Sequence, residues 1–104
     1  MKPRLISLAA LIAMVCAMPA LAGPAPLKGA KLAPTARVKL ATARATALKA
    51  RPGKITDQEL EKEKGGSGLR YSFDILSAGK TYEVGVDAKT GAVLENGAEG
   101  KNPD

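Results

Sequence analysis

The stretch Leu69–Leu94, LRYSFDILSAGKTYEVGVDAKTGAVL, decides the fold. Leu69, Tyr71, Phe73 and Ile75 alternate with Arg70, Ser72 and Asp74, and a period of two places one set on each face of a strand. Ser77 to Gly79 reads as a turn, after which Thr81–Asp87 alternates again with Tyr82, Val84 and Val86 inward. Asp87-Ala88-Lys89-Thr90-Gly91 reads as a second tight turn, because Asp bonds its own backbone there and Gly supplies a positive φ. Ala92–Leu94 returns as a short strand. Each strand has a single apolar face, as a half-covered antiparallel sheet requires.

Upstream, Ile55–Lys64 is extended and highly charged, with Leu60 inward and Glu59, Glu61 and Glu63 outward. Lys64-Gly65-Gly66-Ser67-Gly68 is a loop. Thr35–Ala50, rich in Ala and Leu, reads as one helix, capped by Thr35 and stopped by Pro52-Gly53. Its buried face has two candidate stripes: Val38, Ala41, Ala45 and Leu48, or Leu40, Ala43, Ala47 and Leu48. Arg37, Arg44 and Arg51 recur every seven residues and share a third stripe. The expected fold is α+β: one N-terminal helix packed on a 3–4-stranded antiparallel β-meander. All three aromatics fall on the inner face, so Tyr82→Ala is expected to cost roughly 3–5 kcal/mol.

The first residues read differently. Lys2 and Arg4 precede a charge-free apolar run, Leu5–Ala17, followed by Met18-Pro19-Ala20-Leu21-Ala22. That is the grammar of an export signal cut after Ala22, and the run is shorter than the roughly 20 apolar residues that spanning a bilayer needs. Cys16 lies inside the run behind Met14 and Val15, not behind the small residues of a lipid-anchor signal, and is discarded on cleavage. Localisation is therefore expected to be periplasmic or secreted. Gly23–Pro34 reads as a flexible Pro/Ala/Lys tether and Asn96–Asp104 as a disordered tail, leaving Thr35–Glu95 as the domain.

The string ATALKARPGKI (Ala45–Ile55), then LEKEKGG, YSFDI and YEVGVDAKTGAVL, resembles the PepSY domain family. The likeness runs from about Val38 to Leu94. Ala43, Ala47 and Leu48 match the family's helix, Pro52-Gly53-Lys54 its turn, and Tyr71, Phe73 and Asp74 its second strand. Tyr82, Val84, Val86, Asp87, Thr90, Gly91 and Val93 match its hairpin, the most specific part. Gly85 departs from it, standing where the family often carries a polar or charged residue, and so does Ser72, standing where it often has Glu. Such domains occur in propeptides of thermolysin-like metallopeptidases and in exported or membrane-linked bacterial proteins. The resemblance implies a non-catalytic extracytoplasmic module that binds or restrains a peptidase.

Composition narrows the chemistry independently. The 104 residues hold no His and one Cys, which removes the usual general base and the commonest metal ligand. No catalytic, cofactor-binding or metal-ligating residue is assigned, and no cofactor is expected. Glu59, Glu61 and Glu63 read as a solvated edge that discourages sheet-to-sheet association. Asp87–Gly91 lacks the alternating acids of a calcium loop, since Lys89 occupies one such position. Charge is segregated: Gly23–Lys54 holds eight basic and no acidic residues, Ile55–Asp104 six basic and ten acidic. The basic half suits weak peripheral contact with anionic envelope polymers or lipid headgroups. Nucleic acid is not expected, because no aromatic interleaves those cations to stack on bases. The expected partner is a peptidase or other envelope protein, met at an edge strand, Thr56–Glu63 or Ala92–Glu95, or at the Gly65–Gly68 loop.

Overall fold

The computed structural model describes residues 25–99. The leader expected over residues 1–22, the first two tether residues and the last five residues of the chain lie outside them. Strand β1 is Leu27–Lys28, β2 Lys54–Lys62, β3 Leu69–Ser77, β4 Lys80–Asp87 and β5 Val93–Ala98, and helix α1 is Leu40–Ala50. A short 3-10 helix, Ala30–Thr35, lies between β1 and α1. The strands form one sheet in the order β1-β2-β3-β4-β5. β2 to β5 are the antiparallel meander expected from the sequence.

The central hairpin forms because both of its strands alternate. Tyr71 pairs with Val86, Phe73 with Val84 and Ile75 with Tyr82, so six apolar side chains share one face. Ala78 and Gly79 close it between the paired Ser77 and Lys80, both at positive φ, 50° and 81°. That is the twist a two-residue hairpin turn requires. α1 crosses the apolar face, and Ala43, Ala47, Phe73, Ile75, Val84 and Val86 all have zero exposure. The Ala43/Ala47 stripe is therefore the buried one, with Leu40 and Leu48 packed beside it, whereas Ala41 and Ala45 are exposed. Alanine at the contact lets the helix axis approach the sheet closely.

Four expectations are corrected. The sheet has five strands and is mixed, because β1 adds parallel to β2, Leu27 beside Gln58 and Lys28 beside Glu59. Thus much of the stretch read as a tether is built into the fold. Leu27 and Leu32 pack on the core, the buried Gln58 donates to the Ala25 carbonyl, and Lys28 pairs with Asp57 at 3.0 Å. Gly29 turns the chain there at φ 78°, so close to β2 that a Cβ would overlap the Leu60 carbonyl.

The helix begins at Leu40, not Thr35. Residues Ala36 and Lys39 are extended, and the N–H groups of Arg37 and Val38 both donate to the Ala88 carbonyl at 2.9 Å. Thr35 bonds the Leu32 carbonyl instead of capping α1. The arginine stripe dissolves with it: Arg37 precedes the helix, Arg44 donates to Gln58 at 2.9 Å, and Arg51 caps the far end.

The expected tail begins inside β5, since Asn96, Gly97 and Ala98 pair with Val84, Glu83 and Tyr82. Asn96 holds the end of α1, accepting from Arg51 Nε and donating to the Ala50 carbonyl. Finally, Tyr82 lies on the inner face but is only half-buried, at the sheet end beyond the helix. The Arg51 guanidinium covers its ring at 3.7 Å from the centroid.

Candidate functional site

Three surfaces carry chemistry: the sheet face away from α1, the helix side, and the two sheet edges. Alternation determines the first. Asp57, Glu59 and Glu61 of β2, Asp74 of β3 and Glu83 of β4 all point away from the helix, and with Glu99 and Ser72 they line a shallow depression of about 390 Å³. Carboxylate oxygens of Asp74, Glu83 and Glu99 lie within 4.8 Å of one another. Glu61 accepts from the Ser72 hydroxyl at 2.7 Å. Partial burial pushes its carboxyl above the ordinary carboxylate value, and the charges of Glu59 and Glu63 add to this while the Ser72 bond opposes it.

The sequence identified Glu59 and Glu61 as outward. It did not reveal that strand order brings Asp74, Glu83 and Glu99 to the same face; only the register shows that. Glu63 lies just past the end of β2, exposed.

The upper end of this face is closed by Arg70, whose side chain is 9 % exposed. It lies over Gly85, where a Cβ would come within 3.0 Å of Nη1, and reaches across β4 to Glu95 at 3.1 Å. Nη2 donates to the Lys64 carbonyl, and Nε is buried without a partner. Gly85, a departure from the family pattern, is the space in which this side chain lies.

Asp87 pins the glycine loop to the second hairpin. Its carboxylate accepts from the Ser67 hydroxyl and N–H at 2.7 Å each, from Lys89 N–H at 2.8 Å and from Thr90 N–H at 3.1 Å. Burial by itself would raise its pKa, but the bonds from Ser67, Lys89 and Thr90 outweigh that and hold it at about 2. The residue is 1 % exposed and its oxygens are occupied by protein donors, as a turn needs. The Gly65–Gly68 loop is thus a tethered connector.

On the helix side, Lys31, Arg37, Lys39 and Lys49 are exposed, while Arg44 and Arg51 are engaged with Gln58 and Asn96; Lys28 lies at the edge of the acidic face, paired with Asp57. A groove of about 240 Å³, lined by Leu27, Ala36, Val38, Leu40 and Tyr71, lies beneath Arg37 and Lys39. Tyr71 donates to the Val38 carbonyl at 2.7 Å, and its burial pushes the phenol pKa upward.

The edges differ. β1 covers the middle of β2, so Thr56–Glu63 is not an open edge along its length. Among the described residues β5 pairs with β4 alone, and its Val93 is 43 % exposed.

The model of the PepSY family, described as "Peptidase propeptide and YPEB domain", matches residues 37–96. No curated protein and no solved structure matches the chain. The matched stretch starts at the bend tied to Ala88 and ends on the asparagine that ties β5 to α1, so it takes in the helix and the four-stranded meander up to two residues short of the end of β5. The chain belongs to the PepSY family.

Proposed function

We propose that this protein is a non-catalytic, exported protein-binding module that binds a peptidase in the periplasm or outside the cell and modulates its activity. The observation that carries the reading is that the family model described as peptidase propeptide and YPEB domain matches residues 37–96, the helix and nearly all of the meander. The acids of the open sheet face support a binding role over a catalytic one. They spread over three strands of a shallow surface, whereas paired catalytic carboxylates work across a cleft that orders substrate and water between them. Export rests on the leader grammar of residues 1–22.

The test is incubation of the purified protein with metallopeptidases from the same envelope. Slowed proteolysis and a complex on sizing support the reading. Full proteolytic activity at high micromolar protein, with no complex, removes it.

A second reading follows from the charge separation. Lys31, Arg37, Lys39 and Lys49 are exposed on the helix side, opposite the acidic face, so the module is dipolar and suits peripheral contact with anionic polymers or headgroups. A pull-down from envelope extract separates the two. Peptidase capture that survives high salt supports the first reading, and salt-labile capture of polymer or lipid supports the second.

A further inference from the structure

The two sheet edges are treated differently, and the difference is informative. Exposed strands are ordinarily protected by covering segments, lysine, proline or inward charge. The β2 edge has such protection in β1, with Lys28 on it. β5 (Val93–Ala98) contains no lysine and no proline, its bulge lies at the far end between Glu95 and Val93, and among the described residues no strand pairs with its far side. Glu99 N–H bonds the Thr81 carbonyl at 3.0 Å, so antiparallel alternation points the N–H and C=O groups of Asn96 and Ala98 away from β4. These are the groups an added strand would bond.

Side chains on the acidic face of β5 carry the second half of the argument. Gly97 lies directly opposite Glu83, and a Cβ built on it meets nothing within 4 Å. The outer layer of side chains therefore has a gap at the edge, between Glu95 and Glu99. Beyond it lie the clustered oxygens of Glu83, Glu99 and Asp74. A side chain from a neighbouring strand meets no described residue over Gly97, and the acids of this face favour a cation there.

We propose that β5 accepts an extended peptide segment as a sixth strand, through the outward backbone groups of Asn96 and Ala98, with a lysine or arginine of that segment seated over Gly97 against Glu83 and Glu99. The inference deepens the peptidase reading and rests on it for the source of the segment, an extended stretch of the bound peptidase. Backbone pairing supplies affinity and the seated cation supplies register, the division of labour usual in strand addition.

The test uses the purified protein and a capped seven-residue peptide of alternating threonine and valine with a central lysine, followed by amide NMR. The expected result is hydrogen-exchange protection of the Asn96 and Ala98 amides on peptide addition. Binding should weaken at least tenfold when the central lysine is replaced by glutamate. Ala98→Pro removes an outward donor while sparing the β4 ladder, and Gly97→Lys fills the gap with a like charge. Each should weaken binding at least tenfold with the β3 and β4 amide signals unchanged.

Lysine-peptide binding that survives both substitutions, that maps to β2 or α1, or that is absent at millimolar peptide overturns the proposal. So does a dimer abolished by Ala98→Pro, because the edge would then belong to a second copy. The two readings fail separately. A peptidase captured equally by wild type and Ala98→Pro sinks strand addition and leaves peptidase binding intact. Peptide addition at β5 with no peptidase held sinks the peptidase reading and leaves the edge site intact.

Discussion

Depth of burial, at the scale of single residues, separates aromatics that look equivalent in the sequence. Phe73 has zero exposure under α1 and stacks on Tyr71 at 6.2 Å between centroids. Phe73→Ala should cost about 3–5 kcal/mol by urea denaturation. Tyr82 alternates in step with Val84 and Val86 yet is half-buried, so Tyr82→Ala should cost only about 1–2 kcal/mol, part of it the lost Arg51 contact. Equal losses would mean that Arg51 seals Tyr82 as fully as α1 seals Phe73.

Asp87 gives a prediction in pH. Its folded pKa of about 2 lies below the ordinary 3.8, so as pH falls the unfolded chain takes up the proton first. Its stabilisation is complete about one pH unit above 3.8, drains away as pH falls through that value, and is gone only below the folded pKa of about 2. Asp87→Asn should flatten this part of the stability profile and cost about 1.5–3 kcal/mol at neutral pH, the worth of hydrogen bonds to a charged acceptor. An unchanged acid limb in the variant would reassign the loss to other carboxylates.

Individual elements carry their own local rules, some legible and some not. The β3–β4 hairpin was legible because alternation over both strands leaves one register that buries every apolar residue. Its turn uses alanine at φ 50°, a region that strains a Cβ. Ala78→Asn should raise stability by about 0.5–1 kcal/mol, read as a higher midpoint in thermal unfolding. No gain would mean that the turn already relaxes this strain elsewhere. The helix start was misread because Thr35 has the right chemistry for a cap. Tertiary hydrogen bonds to Ala88 hold Arg37 and Val38 in a bend instead. β1 was invisible for another reason: two residues carry no periodicity, and their place depends on Gln58, Leu60 and Asp57, some thirty positions away.

The whole molecule is a layered body with opposed charge. Acids crowd the sheet face, where Arg70 and Lys28 are paired with Glu95 and Asp57, exposed Lys31, Arg37, Lys39 and Lys49 lie on the helix side, and between them lies a core of alanine, aliphatic residues and two stacked aromatics. The strap formed by β1 and the 3-10 helix is held by one short parallel pairing, the Gln58–Ala25 bond, the Lys28–Asp57 pair and the packing of Leu27 and Leu32. Deleting residues up to Thr35 should lower the melting temperature and speed hydrogen exchange in the middle of β2, while the β3 and β4 amides keep their protection. Uniform loss of protection across the sheet would show instead that the strap folds as one unit with the meander.

By itself the sequence determined the α+β class, an antiparallel meander of three or four strands, the alanine helix and the outward orientation of the β2 glutamates. Each follows from a local period or a turn residue acting within a few positions of itself. The tertiary structure alone decided which helix stripe is buried, where the helix starts, that β1 shields one edge and leaves β5 open, and that carboxylates from separate strands meet on one face. Those outcomes depend on register and strand order, which bring distant residues together, and no periodicity along the chain encodes that distance.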